Sequence, residues 1–248
     1  MKNVSDAAVP PGAQFLAPGP ARDGRFKVAE RWAECANYPS GHPLRDIEFL
    51  HRQMNEEVDS LECCASALKD FPHEDWALRM SMARQCADEA RHAVLFRRMF
   101  ESRGGHVGDY PVLNFQYRII ANIPSLIGRM AVQNRSFEAG GLDAIAVGIE
   151  DARQRGDLEL VQLYETQQAD EIIHVRLAND WIRIKTQGDP RAVLEIGVAL
   201  NMASKAFTHV MGPEGIAGGK HPADVSGRQE AGFTESEVSL AIQLQEAR

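Results

Sequence analysis

Two short segments of this chain repeat one pattern of metal-ligating side chains. Residues 88–92 read DEARH and residues 170–174 read DEIIH, so both follow Asp-Glu-x-x-His. On a helix, residues three positions apart lie on one face within about 5–6 Å, so the glutamate and the histidine of each segment can reach one pair of metal ions. Oxygen-rich ligands with two imidazoles suit iron or manganese better than copper, and the absence of thiolate ligands disfavours structural zinc. The pattern identifies four candidate ligands, Glu89, His92, Glu171 and His174.

Two further glutamates complete the set. Four long segments have helical periodicity, because apolar or small residues recur in them every three or four positions. These residues form the side of each predicted helix that faces inwards, and each such inward stripe contains one glutamate. Glu57 lies 32 positions before Glu89, and Glu138 lies 33 positions before Glu171. The site therefore divides into two similar helical hairpins, each of which supplies a glutamate followed by Glu-x-x-His. Two helices with Glu and two with Glu-x-x-His form the ligand set of di-metal carboxylate bundles.

Burial of four glutamates requires compensating positive charge. A single buried carboxylate is strongly unfavourable unless it is paired or protonated, and four that converge in one core also repel one another. Two divalent cations bring four positive charges, which balance four ionised glutamates. We therefore expect two metal ions, as Fe/Fe, Fe/Mn or Mn/Mn, with the ligands Glu57, Glu89, His92, Glu138, Glu171 and His174.

Five polar residues near these ligands are candidates for an outer layer of hydrogen bonds. A ligating histidine usually donates its second N–H to a carboxylate, and Asp88 and Asp170 can each serve the histidine of the opposite half. Asn134 and Gln168 lie on the inward stripes beside two of the glutamates. Tyr164 shares the stripe of the fourth helix, where it is either a redox or hydrogen-bonding tyrosine near the metals or an ordinary core residue.

An all-α domain must position these residues, because strand signals are almost absent. We predict an irregular arm over residues 1–42, which is rich in proline and contains a short helix around 26–35. A four-helix bundle follows over 43–190, and a helical extension over 191–248 is expected to pack on it.

Breakers and caps set the predicted helix ends. The pair Gly140-Gly141 is expected to interrupt the third helix, and residues 211–227 are expected to be irregular because they are rich in glycine and proline. Thr234 and Glu237 have the spacing of a capping box. The predicted helices span residues 44–69, 75–103, 124–155, 157–188, 191–210 and 234–247.

Several segments resemble ferritin-like proteins, and most of all the bacterial family known as domain of unknown function 455. The resemblance covers most of residues 44–240, and its more specific parts are the stretch EAGGLD at 138–143 and the later AGFT at 231–234. It implies a ferritin-like four-helix bundle with an irregular N-terminal arm and extra C-terminal helices. The segments that carry it are 57–71, 88–92, 137–143, 170–175 and 231–234.

The resemblance also implies a role for each ligand. It makes Glu89 and Glu171 the bridging carboxylates and Glu57 and Glu138 the terminal ones. The remaining ligands, His92 and His174, would each cap one metal ion.

Composition restricts the partners that we expect. The net charge of −8 and the pI of about 5.5 argue against a nucleic-acid partner, because affinity for phosphate backbones comes mainly from clustered Lys and Arg. The sequence contains no run of 18 or more apolar residues, so we expect no membrane span. The N-terminus lacks the pattern of a secretory signal. The four cysteines form no C-x-x-C pair, so a cytoplasmic protein with reduced thiols is the expectation. A homodimer and an external electron donor are further expectations.

Three classes of function are compatible with these features. The first is an oxidase or oxygenase that uses dioxygen as co-substrate at the two-metal site to oxidise a small organic molecule. The second is an iron-handling or peroxide-detoxifying protein that has the same ligands and no organic substrate. The third is a non-enzymatic helical interaction module, which the complete ligand set disfavours. Hydroxylation of a tRNA base belongs to the first class and is disfavoured by the acidic composition.

Overall fold

The computed structural model describes residues 11–39, 41–219 and 221–246, and 73% of these described residues are helical. This confirms the predicted all-α class. Residues 1–10 of the predicted arm and the predicted end of the last helix at Ala247 lie outside the described residues. The helices are α1 (Arg45–Asp70), α2 (Trp76–Ser102), α3 (Phe115–Ile120), α4 (Leu126–Val132), α5 (Ala139–Arg155), α6 (Leu158–Thr186), α7 (Pro190–Gly218), α8 (Val225–Glu230) and α9 (Glu235–Glu246).

Two helical hairpins form the centre of the fold, one from α1 and α2 and the other from α5 and α6. Short polar connections define them. Asp75 caps α2 by accepting from the N–H groups of its first turn, and Asp157 caps α6 in the same way. Gly156 ends α5 in the left-handed region at φ 73°, which glycine adopts without a steric penalty. The arrangement is consistent with a ferritin-like four-helix bundle.

The third long helix is interrupted before the glycine pair, which corrects the predicted break at Gly140-Gly141. A π-helical segment, Gln133–Glu138, separates α4 from α5, and the Ala139 N–H bonds to the Asn134 carbonyl five residues back. Both glycines lie inside α5. The wider turn shifts the register of the helix that follows, in which Leu142 is fully buried. Such π turns occur often at functional sites.

The predicted helix around 26–35 is wrong. Lys27–Ala29 forms strand β1, which pairs in parallel with strand β2, Pro111–Leu113, and only a 3₁₀ turn at Trp32–Glu34 is helical. Strands of three residues depend on a ladder with a distant partner, so they leave no local periodicity in the sequence. The loop that was predicted to precede the third helix also contains β2 and α3.

The C-terminal extension is more helical than predicted. The helix that was expected to end at residue 210 bends at Gly212, where φ is 62°, and resumes through Pro213 to Gly218. The stretch 211–227, which was predicted to be irregular, also contains the start of α8. The predicted capping box is present at α9, where Thr234 and Glu237 exchange hydrogen bonds.

The arm and the extension both pack on the bundle. Small residues of α7 lie against α4, where a Cβ on Gly128 would come within 2.8 Å of the Ala199 side chain, so the two backbones approach closely. The Arg22 side chain attaches the arm to α1 by ion pairs with Asp59 at 3.2 Å and Glu62 at 2.6 Å. No helix among the described residues is long and apolar enough to cross a membrane.

Candidate metal centre

The six predicted ligand residues lie together in the interior, and each is at most 7% exposed. Their ligand atoms form two groups, and within each group all of these atoms lie within 4.8 Å of one another. Glu89 and Glu171 belong to both groups, so two adjacent cation positions would share these two carboxylates. The first group is Glu57, Glu89, His92 and Glu171, and the second is Glu89, Glu138, Glu171 and His174.

Both histidines direct Nδ1 towards the carboxylates. Nδ1 of His92 lies 3.2 Å from Glu57 Oε2 and 3.4 Å from Glu89 Oε2. Nδ1 of His174 lies 3.4 Å from Glu171 Oε2 and 3.5 Å from Glu89 Oε1. One nitrogen of each ring is therefore placed to bind a cation, while Nε2 points outwards.

The outward nitrogens meet the two aspartates in the crossed arrangement that the sequence predicted. Nε2 of His92 lies 3.1 Å from Asp170 Oδ2, and Nε2 of His174 lies 3.4 Å from Asp88 Oδ2. A carboxylate acceptor at Nε2 keeps the proton on that nitrogen and leaves Nδ1 free to bind metal. The Arg91 guanidinium joins the two halves, because its Nη2 donates to Asp88 Oδ1 at 3.0 Å and to Asp170 Oδ2 at 2.6 Å.

Side-chain amides hold the two outer glutamates. Gln85 Nε2 donates to Glu138 Oε1 at 2.6 Å, and Gln167 Nε2 donates to Glu57 Oε1 at 2.6 Å. Sequence reasoning missed both glutamines. The signal was nevertheless present, because each lies four positions before the glutamate of an Asp-Glu-x-x-His segment, so each hairpin positions a ligand of the other.

Of the three other residues predicted to lie near the ligands, one contacts a candidate ligand and two do not. Asn134 lies as expected, and its Nδ2 donates to Glu138 Oε2 at 2.7 Å. Gln168 does not face the ligands, because its amide donates to Asp224 at the start of α8. Tyr164 packs in an aromatic cluster, with ring centroids 6.3 Å from Phe49 and 6.4 Å from Phe96, which matches the alternative of a core tyrosine.

The profile of the family described as "Protein of unknown function (DUF455)" matches residues 3–239 of this chain. The chain belongs to the DUF455 family. A relative named "Uncharacterized protein" comes from Haemophilus influenzae (strain ATCC 51907 / DSM 11121 / KW20 / Rd). It is 25% identical over 241 residues, which are 97% of this chain and 78% of the relative. No solved structure matches the chain.

Charge is unbalanced in the interior of this DUF455 protein. Burial raises the pKa of Glu57 and of Glu138 well above the usual value, and the charges of Glu89 and Glu171 raise both further. Burial alone would lower the pKa of His92, yet the carboxylates of Glu57 and Glu89 outweigh it and raise that pKa to about 11. The glutamates therefore favour a bound positive charge in the space between them.

Three buried donor atoms of the site lack hydrogen-bond partners, which a bound metal ion would supply. Oε2 of Glu89, Oε2 of Glu171 and Nδ1 of His174 are buried and make no hydrogen bond. Buried polar atoms nearly always have a partner, and two carboxylate oxygens with one imidazole nitrogen are ligands for iron or manganese. In this DUF455 member, cations coordinated by these three residues would satisfy all three atoms.

Asp170→Ala tests whether the aspartates support the centre. Loss of the acceptor at His92 Nε2 is expected to weaken metal affinity about 10- to 100-fold, as measured by competition against a chelator of known affinity. Asp180→Ala is the matched control, because that side chain lies on the same helix, is 59% exposed and pairs only with Arg183 among the described residues. Equal affinities of the two variants would contradict the positioning role.

Proposed function

We propose that this protein is a two-metal oxidoreductase, with iron or manganese as the metal, that uses dioxygen to oxidise a small organic substrate. The observation that carries the proposal is the pair of buried ligand groups that share Glu89 and Glu171. A pair of redox-active ions bound there would supply the Lewis acidity and the electrons that dioxygen activation needs. Two ions held at a shared pair of carboxylates can act together on one small molecule.

The polypeptide contributes geometry and exclusion of water. Asp88 and Asp170 hold the two imidazoles in the tautomer that leaves Nδ1 available. Gln85 and Gln167 fix the orientation of the outer glutamates. Because every ligand is buried, bulk water is kept away from the reacting atoms, which strengthens electrostatic interactions in the site.

A small cavity lies against two residues that hydrogen-bond to Glu138. Its volume is about 20 Å³, and its walls include Gln133 and Asn134, both of which donate to Glu138. The other walls are mainly apolar and include Cys64 and Met82. One water-sized molecule needs about 10–15 Å³, so the cavity has room for about one small molecule.

Metal analysis followed by oxygen-uptake measurements tests the proposal. Protein purified without chelator is expected to contain about two iron or manganese ions per chain. After reduction with dithionite and removal of the excess, it should consume dioxygen in proportion to its metal content. A screen of small organic substrates should then identify one that sustains uptake over many turnovers.

Three other results would redirect the proposal. Rapid consumption of hydrogen peroxide with slow consumption of dioxygen would favour a peroxide-detoxifying protein. A large excess of iron oxidised per chain would favour iron handling. Protein that contains no metal and takes up none from added ferrous iron would exclude a metal enzyme and leave a helical interaction module.

A further inference from the structure

The exposed face of α2 carries a line of arginines directly above the candidate metal centre. Arg84, Arg91 and Arg98 are spaced seven residues apart, which is about two turns, so they follow one side of the helix at intervals of about 10 Å. The side chains of Arg84 and Arg91 are 64% and 43% exposed, and Arg98 is also exposed. We call these three residues the arginine stripe.

Local charge on this face contrasts with the charge of the whole chain. The chain has a net charge of −8, yet the two acidic side chains at the middle of the stripe, Asp88 and Asp170, are only 14% and 13% exposed. Both turn inwards to the histidines, and Asp88 also pairs with Arg84 at 3.5 Å and with Arg91 at 3.0 Å. The three arginines and these two aspartates together leave a charge of +1 on this face, with the guanidinium groups as its more exposed part. Arg98 has no ion-pair partner among the described residues. Exposed Val94 and Ile173 add apolar surface on the neighbouring turns of α2 and α6.

The stripe is also linked to the centre by a short chain of contacts. The Arg91 guanidinium lies 2.6 Å from Asp170 Oδ2, and the same oxygen lies 3.1 Å from His92 Nε2. Nδ1 of that histidine faces the carboxylates of Glu57 and Glu89 in the first ligand group. Arg91, Asp170 and His92 thus form a chain of contacts from the solvent-exposed face to the candidate ligand residues, which are themselves almost completely buried.

We propose that the arginine stripe is the docking surface for an acidic one-electron carrier protein that reduces the metal centre. The inference rests on the proposed function, because an oxygenase that forms water from one oxygen atom needs two external electrons. Each encounter would oxidise one carrier and transfer one electron to the centre, so two encounters would serve one turnover. Charge complementarity selects the partner, since opposite charges steer encounter and orient the two proteins.

A nucleic acid fits this face less well than a protein does. Proteins that bind duplexes through their backbone use about 6–10 phosphate contacts, whereas the stripe has three cations on a chain of net charge −8. A weak, short-lived complex with a small interface is typical of electron-transfer pairs. The stripe with its flanking valine and isoleucine matches that description.

Binding measurements on the 248-residue chain test the docking surface without reference to activity. The probes are an acidic [2Fe–2S] ferredoxin and an acidic flavodoxin, with basic cytochrome c as the negative control. We expect at least one acidic carrier to bind, with affinity that falls as salt is raised, and cytochrome c not to bind. Arg98→Glu should weaken that binding about fivefold, while Arg98→Lys should retain it.

Charge reversal elsewhere provides the matched control. Arg191→Glu changes an exposed arginine on α7 and should leave carrier binding unchanged. Failure of both acidic carriers to bind, equal weakening by Arg98→Glu and Arg191→Glu, or preferential binding of a short RNA hairpin at the stripe would each overturn the proposal.

Chemical reduction separates this proposal from the proposed function. With dithionite as electron source, Arg98→Glu and the unaltered protein should consume dioxygen equally, because the variant changes docking and not the centre. If a carrier binds through Arg98 but dithionite-reduced protein consumes no dioxygen, the proposed function fails while the docking surface stands. If dithionite supports uptake but no acidic carrier binds, only the docking surface fails.

Discussion

Glu89→Ala is expected to remove both metal ions from the protein, whereas Glu57→Ala is expected to remove one. Glu89 belongs to both ligand groups, and Glu57 belongs to one. Removal of a shared carboxylate takes a ligand and a negative charge from both cation positions, and the remaining donors cannot compensate in a buried site. Elemental analysis should therefore give about two ions per chain for the unaltered protein, about one for Glu57→Ala and about zero for Glu89→Ala.

Glu101→Ala is the matched control for this experiment. That residue lies on the same helix as Glu89, its side chain is 42% exposed and it pairs with Arg97, so its loss should leave the metal content unchanged. If Glu89→Ala retained one tightly bound ion, the two cation positions would not share that carboxylate. The assignment of bridging ligands would then be wrong even if the protein binds metal.

Glu171→Gln is expected to have opposite effects on the metal-free and metal-loaded protein. Without metal, the Glu171 carboxylate is buried beside the other glutamates, and burial raises its pKa. A neutral amide of nearly the same shape removes the repulsion with Glu89, which also raises that pKa, and its carbonyl oxygen can take the place of Oε2, which lies 3.4 Å from His174 Nδ1. We expect the free energy of unfolding to rise by about 1–2 kcal/mol.

Melting temperatures make this prediction measurable. A change of that size corresponds to a rise of roughly 2–8 °C for a chain of this length. In the unaltered protein, metal at 100 to 1,000 times its dissociation constant should stabilise the fold by about 3–4 kcal/mol, and Glu171→Gln should lose most of that increment. Metal-free Glu171→Gln that melts lower than the unaltered protein would contradict the idea that the empty site is destabilised by charge.

Glu165→Gln controls for the loss of a negative charge from the same helix. Its side chain is half exposed and pairs with Arg153, so both melting temperatures should stay close to those of the unaltered protein. A surface ion pair contributes at most about 1 kcal/mol, which is smaller than the metal-dependent difference expected at Glu171.

Sequence periodicity was sufficient to select the six candidate ligand residues that the fold brings together. The spacing of three within each Asp-Glu-x-x-His segment is a local property of the helix, so the order of residues along the chain is enough to pair Glu89 with His92 and Glu171 with His174. The need to balance buried charge then linked the two pairs to the glutamates of the other helices. The crossed contacts of Asp88 and Asp170 followed from the same helix geometry and the preference of a ligating histidine for a carboxylate.

The rotation of each helix about its axis determines which polar side chains hydrogen-bond to the candidate ligand residues. Gln167 and Gln168 are adjacent, and both lie within about one turn of Glu171. Neighbouring residues point about 100° apart on a helix, and the packing of α6 turns Gln167 to Glu57 and Gln168 to Asp224. Sequence periodicity does not show which of two adjacent polar residues faces the site.

Long-range contacts decided the remaining features. The pairing of β1 with β2 joins residues more than 80 positions apart, and no local pattern encodes it. The π turn ends at Glu138, before the glycine pair at which the sequence predicted the interruption. Arg91 resembles any other surface arginine in the sequence, and only the approach of α2 to α6 places it between Asp88 and Asp170. The amino-acid sequence thus determined the long helices and the six candidate ligand residues, because both follow from local spacing. Tertiary packing decided the short strands and the glutamine and arginine contacts around the site, because these depend on residues far apart in the chain.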